Sequence, residues 1–89
     1  MRIWGKLWKN NRMMQDTVIE NYEQDQTRTT KIYHSLEQIC EQFDLQKPIW
    51  LDVNKQDFLR TSRCRFYQDS FIETIDFDYL ELHVIEEDD

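Results

Sequence analysis

With 89 residues, 39% of them hydrophobic and 13% aromatic, the chain has large side chains for one small core, and the aromatics argue against general disorder despite a 33% charged fraction. A single Gly and a single Pro disfavour both a loop-dominated fold and a Gly-rich phosphate cradle. The net charge of −7 repels a phosphate backbone, so nucleic acid is disfavoured as the main partner.

The charge is unevenly spread. Residues 1–14 hold Arg2, Lys6, Lys9 and Arg12 and no acid, whereas residues 66–89 hold nine of the eighteen acids and no Lys or Arg. Opposite charges facing each other across a strand pair add roughly 0.2–1 kcal/mol each, so the first and last strands are expected to be neighbours. The two cysteines, Cys40 and Cys64, belong to no close pair, which excludes a disulfide framework or a metal knuckle. No apolar run reaches the length of a signal peptide or a membrane span, and a cytoplasmic, reducing setting is the expectation.

Along the chain, Arg2 to Trp8 alternates. Ile3, Gly5 and Leu7 share one side, and Trp4, Lys6 and Trp8 the other, as in a strand partly covered on both faces. Gly5 marks a bulge or a close approach by another backbone. Asn10 and Asn11 supply turn chemistry, and a second strand from Met13 to about Tyr22 completes a hairpin. The stretch Thr27 to Phe43 then carries Ile32, Leu36, Ile39 and Phe43 at steps of four, three and four, one stripe of an amphipathic helix, with Cys40 and Tyr33 at its edge. Thr27 or Asp25 is the expected N-cap, and the helix ends near Asp44, ahead of Pro48.

Pro48 to Leu51 reads as an extended apolar piece lying on the core. A short helix is expected from an Asn54 cap to Leu59 or Arg60, with Val53 and Phe58 as a hydrophobic staple. Arg63 to Phe66 alternates like a brief strand, although helical turns fit nearly as well, and Gln68 to Ser70 reads as a turn. The last element, Ile75 to Ile85, alternates most clearly: Leu80, Leu82 and Val84 face one way, and Tyr79, Glu81 and His83 the other. Residues 86–89 read as a solvated, frayed acidic tail.

Three phrases, FDLQKPIWLD (Phe43 to Asp52), RFYQDSFI (Arg65 to Ile72) and IDFDYLE (Ile75 to Glu81), together resemble a group of small uncharacterised bacterial proteins of clostridia-like origin. The resemblance implies a free-standing bacterial cytosolic protein and carries over no activity, ligand or site residue.

Several side-chain groups are candidates for chemistry. His34, Glu37 and Glu41 lie within about 60° of one another around the helix, but on the side opposite the apolar stripe, where a solvated charged face is the better account than a metal site. Cys64 lies between Arg63 and Arg65, cations that would favour a thiolate. A cysteine phosphatase loop would need an Arg six residues on, where Ser70 stands, so burial as a small hydrophobe is preferred. Arg60, Arg63 and Arg65, with Lys55 before them, form the one dense basic patch. It suits phosphate, carboxylate or RNA contacts, with Tyr67 available for stacking, unless the guanidiniums pair internally with Asp69, Glu73 or Asp76. Trp4, Trp8 and Trp50 are either core or anchors for a partner protein.

No catalytic triad order, nucleophile elbow, P-loop or dinucleotide fingerprint is present, and no cofactor is implied. The expectation is therefore a single α+β domain, an antiparallel β-β-α-(short α)-β sheet with one long amphipathic helix packed on one face. The sheet's second face would serve as a non-enzymatic protein-binding or regulatory surface, through self-association or a protein partner. The rival reading is an RNA or phosphate-ligand binder using Arg60, Arg63 and Arg65.

Overall fold

Residues 1–88 are described in the computed structural model. Their order is β1 (Arg2–Lys9), β2 (Arg12–Glu20), α1 (Arg28–Gln42), α2 (Asp52–Thr61), β3 (Arg63–Phe66), a 3-10 turn at Gln68–Ser70, and β4 (Tyr79–Glu86). The strands form one antiparallel sheet in the order β2-β1-β4-β3, which makes the domain α+β.

The hairpin turns where the asparagines predict it. Asn10 and Asn11 both adopt positive φ, 53° and 61°, the backbone that a two-residue type I′ turn requires. Beyond it β2 runs Arg12–Glu20, two residues short of the expected Tyr22, with a bulge opposite Leu7 and Trp8. The first and last strands do pair: Lys6 lies opposite Glu81 and Arg2 opposite Glu86, so the basic start and the acidic end of the chain meet in the middle of the sheet.

Period two decides which side chains go inside. Ile3 and Leu7 of β1, Ile19 of β2, Cys64 and Phe66 of β3, and Leu80, Leu82 and Val84 of β4 are all buried on one face. Against them lies the α1 stripe, with Ile32, Leu36, Ile39, Cys40 and Phe43 all buried, while Tyr33 stays half-exposed at the edge. Thr27 caps α1, its Oγ1 accepting from the Thr30 N–H at 3.2 Å. The helix ends without glycine because Asp44 takes the left-handed conformation at φ 56°. The N–H of Leu45 then bonds the Cys40 carbonyl at 2.8 Å and that of Asp44 bonds the Glu41 carbonyl at 3.2 Å, which closes the helix in a Schellman motif.

Several expectations are corrected. The helical layer consists of the two helices of the expected order, of 15 and 10 residues, the second longer than the expected Asn54 to Leu59 or Arg60. Helix α2 begins at Asp52, and Asn54 does not precede it but sits in its first turn, accepting from the Leu51 N–H at 2.9 Å. Val53 is exposed, so no staple to Phe58 forms. Arg63–Phe66 is a strand, because Cys64 and Phe66 fill the inner face opposite Leu82 and Leu80. The last strand starts only at Tyr79. Residues 71–78 instead form a loop in which Phe71 and Phe77 pack edge-on at 5.6 Å and Gln68 bonds the backbone of Glu73 and Ile75. Of the tail expected over 86–89, Glu86 is the last residue of β4, Glu87 grips Arg28 with both oxygens at 2.9 and 3.0 Å, and Asp88 meets the buried Lys31 at 2.7 Å. Asp89 lies outside the described residues.

Gly5 is needed for an approach by a helix side chain, not by another backbone. A Cβ at this position would stand 2.6 Å from Cγ2 and 2.8 Å from Cδ1 of Ile39, a side chain with no exposed surface. Gly5→Ala is expected to lower stability by about 1–3 kcal/mol, the usual range for overpacking a dense core. Urea unfolding of Gly5→Ala, Ile39→Ala and the pair checks this, since adding Ile39→Ala to Gly5→Ala should cost less than Ile39→Ala alone.

Candidate functional site

Alternation that buries one face of the sheet leaves the other to be explained. Both helices lie on the Ile3 and Leu7 side, so Trp4, Lys6 and Trp8 of β1 face away from them, with Tyr79, Glu81 and His83 of β4 and Arg63 and Arg65 of β3. The register sets these residues in rows. Arg65, Glu81, Lys6 and Asp16 form one row across the four strands, and Arg63, His83, Trp4 and Val18 the next.

Glu81 is the centre of this face. It is 3% exposed although no helix covers it, because the Trp8 indole N–H reaches Oε1 at 3.3 Å and three cations surround the carboxylate. Lys6 Nζ lies 3.2 Å away, Arg65 Nε 3.6 Å and Arg63 Nε 3.9 Å. Burial alone would raise the Glu81 pKa, but the Lys6 hydrogen bond and charge, the Trp8 N–H and the Arg63 charge together hold it below the ordinary glutamate value. Lys6 in turn lies over the Trp4 ring at 3.8 Å, and the Trp4 indole donates to Asp16 Oδ2 at 2.9 Å.

Aromatic contacts continue toward β3. Trp8 stacks on Tyr79 with ring centres 6.3 Å apart, Arg65 lies over Tyr79 at 4.8 Å, and Tyr67 tilts against the same ring at 5.3 Å. His83 is pushed below its usual pKa by burial and by the Arg63 and Lys6 charges, against the Glu81 charge. The face is therefore a band of pinned, partly exposed rings and paired charges.

The sequence-derived residues are distributed unevenly. Trp4 and Trp8 share the open face, but Trp50 lies on the opposite side, edge-on to Phe66 at 4.9 Å, Phe58 at 5.7 Å and Tyr33 at 5.8 Å. Arg60, Arg63 and Arg65 line one cleft of about 360 Å³ beside β3, together with Asn54, Asp57 and Asp69. Their ion-pair partners are not the expected Asp69, Glu73 or Asp76: Arg60 takes Asp57 at 3.3 Å, and Arg63 and Arg65 both take Glu81. The roles of Lys6 and Glu81 were missed. Each sits on the right face by alternation, but only the β1–β4 register makes them a pair.

Two chemical options weaken in this setting. Cys64 points into the core, away from both flanking arginines, and burial, reinforced by the Asp57 and Glu81 charges, pushes its thiol up to about 12. His34, Glu37 and Glu41 are exposed, and among the described residues no three His, Cys, Asp or Glu side chains gather closely enough to hold a metal. Comparison with protein families, with curated proteins and with solved structures finds no match to this chain.

Replacing Glu81 by Gln strands the buried Lys6 ammonium and is expected to cost about 1–3 kcal/mol at pH 7. Because the folded pKa of Glu81 is depressed, its contribution is complete above the unfolded value near 4.3 and is lost as pH falls through the folded one. Urea unfolding at pH 7 and pH 3 should therefore show the gap between wild type and Glu81→Gln narrowing at the lower pH. For Cys64, a thiol reagent at pH 7.5 should label the native protein no faster than it unfolds, with labelling completed at once in denaturant.

Proposed function

We propose that this protein is a non-enzymatic binding module that docks its uncovered sheet face, centred on Trp4, Trp8 and Tyr79, onto another protein or a second copy of itself. The observation that carries this reading is that both indoles are held in place before any partner arrives. Trp4 is anchored by Asp16 and Trp8 by Glu81, yet both rings remain partly exposed on a face without a helix over it. Rings fixed in this way lose little freedom on binding, and Trp, Tyr and Arg are the residues that dominate protein interfaces.

The electrostatics favour a protein over a nucleic acid. Arg2, Lys6, Arg63 and Arg65 are matched across the strands by Glu20, Glu81, Glu86 and Asp16, so the face offers a phosphate chain no surplus of cations. The second reading, an RNA or phosphate-ligand binder, draws on the cleft that Arg60, Arg63 and Arg65 share; there Asp57 and Asp69 offset two of the three charges. A cytosolic setting suits the two buried, unpaired thiols, and no helix among the described residues is long and apolar enough to cross a membrane.

The test compares wild type, Trp4→Ala/Trp8→Ala and Arg60→Ala/Arg63→Ala, each verified as folded by circular dichroism. Sedimentation at micromolar concentration and quantitative capture from the native cell are the readouts. Self-association or a specific captured protein should weaken about 30-fold or more in the tryptophan pair, as for hot-spot residues, and persist in the arginine pair. A monomeric wild type whose captured proteins are unchanged in the tryptophan pair would sink the proposal. Salt-sensitive binding of a single-stranded RNA, lost only in the arginine pair, would establish the second reading instead.

A further inference from the structure

The two edges of the sheet are finished differently. At β3, four residues long, the outward carbonyls are already taken: Thr61 Oγ1 donates to the Arg63 carbonyl at 3.1 Å and Asn54 Nδ2 to the Arg65 carbonyl at 2.8 Å. At β2, nine residues long, nothing comparable is in place among the described residues. Met1 and Asn21 exchange both backbone hydrogen bonds, at 2.9 and 3.0 Å, so by the alternation of an antiparallel ladder Ile19 and Thr17 also bond to β1. Asp16, Val18 and Glu20 then turn their N–H and C=O groups outward. The bond from the Asp78 N–H to the Trp8 carbonyl, on the other side of β1, has the same parity. Among the described residues, no other element's donor or acceptor reaches these outward groups.

The side chains along this edge carry a pattern. The row Arg65, Glu81, Lys6, Asp16 alternates in sign and ends on a carboxylate, and the row Glu86, Arg2, Glu20 alternates and ends on another. Between them the Arg63, His83, Trp4, Val18 row ends on an exposed β-branched side chain. The next strand in each charged row calls for a cation, and the middle row for an apolar residue. β1 itself meets β2 with this set, Arg2, Trp4 and Lys6.

We propose that the β2 edge binds an extended peptide segment as a fifth strand, one with Lys or Arg opposite Asp16 and Glu20 and a β-branched or aromatic residue opposite Val18. A second copy of this chain is a poorer occupant. Two β2 edges paired about Val18 set Asp16 against the copy's Glu20 twice, and pairing about Thr17 leaves both carboxylates without a cation. The acids on the edge thus select the incoming strand by charge, rather than merely blunting the edge. This inference uses the outward backbone groups of β2, and shares with the docking face around Trp4 and Trp8 only side chains such as Asp16, which accepts from the Trp4 indole.

The probe is a nine-residue peptide with Lys-Thr-Val-Thr-Lys at its centre, titrated to about 1 mM into the full chain while amide resonances are followed. Binding should shift and protect the amides of Asp16, Val18 and Glu20. Replacing both lysines of the peptide by threonine should weaken it about 2- to 30-fold, from two cross-strand charge pairs. Val18→Pro removes an outward N–H, and the β-branched side chain with it, and should abolish binding with the fold retained. If that variant does not fold, methylating the peptide's bonding amide nitrogens must abolish binding instead. No shift at these three amides, or basic-peptide binding indifferent to N-methylation, overturns the proposal.

Discussion

The pairing of the first strand with the last is the constraint on which the remaining structure depends. β1 and β4 occupy the middle of the sheet and β2 and β3 its edges, so the sheet is not continuous until the final residues lie between β1 and β3. The register of that pairing is specified twice. A slip of one residue would turn Leu80, Leu82 and Val84 outward and carry Glu81 into the core, and it would also part Lys6 from Glu81 and Arg2 from Glu86. Hydrophobic burial and charge pairing exclude the same errors.

That register makes the open face a built surface rather than a leftover one. A carboxylate buried among apolar groups would neutralise itself, but Glu81 meets Lys6, Arg63, Arg65 and the Trp8 N–H, and stays ionised. The stems of these long side chains and the rings beside them shield the carboxylate from water without a helix above it. Because the charges are matched, Trp4, Trp8 and Tyr79 are presented on an electrically quiet background. For the docking proposed above, such a surface supplies shape and aromatic packing rather than long-range attraction.

The helical side shows the opposite logic. Gly5 lets Ile39 descend onto β1, and Phe58, Phe66 and Trp50 fill the space between α2 and β3. Asn54 joins three elements: its oxygen accepts from the N-terminal turn of α2, its amide nitrogen holds the Arg65 carbonyl on β3, and Ser70 Oγ approaches it at 3.4 Å. With Thr61 Oγ1 on the Arg63 carbonyl, this buried side chain thereby occupies the outward carbonyls of β3. Among the described residues, no side chain or backbone group of another element takes the outward groups of β2 in this way.

Much of this was legible along the chain. The period of Ile32, Leu36, Ile39 and Phe43 identifies the buried stripe of α1, the alternation of Leu80, Leu82 and Val84 identifies the inner face of β4, and two asparagines mark the hairpin turn. The segregation of Arg2 and Lys6 from the late acids foretells the β1–β4 pairing. Each of these is a relation among near neighbours, or a property of a whole segment, and survives in one dimension. Weaker patterns failed: four residues from Arg63 to Phe66 are too few for a period to separate strand from helix, and Asn54 is as good a cap as it is a first-turn acceptor.

Where the helices settle decides the rest. Trp4, Trp8 and Trp50 are equivalent as residues, yet the helices cover the side holding Trp50 and leave the other two on the open face. Arg63 and Arg65 can pair with any of several acids until folding brings Glu81 within 4 Å of both. Periodicity and charge sign are local and could be read from residue order. Partner choice, face choice and edge protection arise from atoms distant along the chain meeting within a hydrogen bond's length, and those only the folded arrangement could decide.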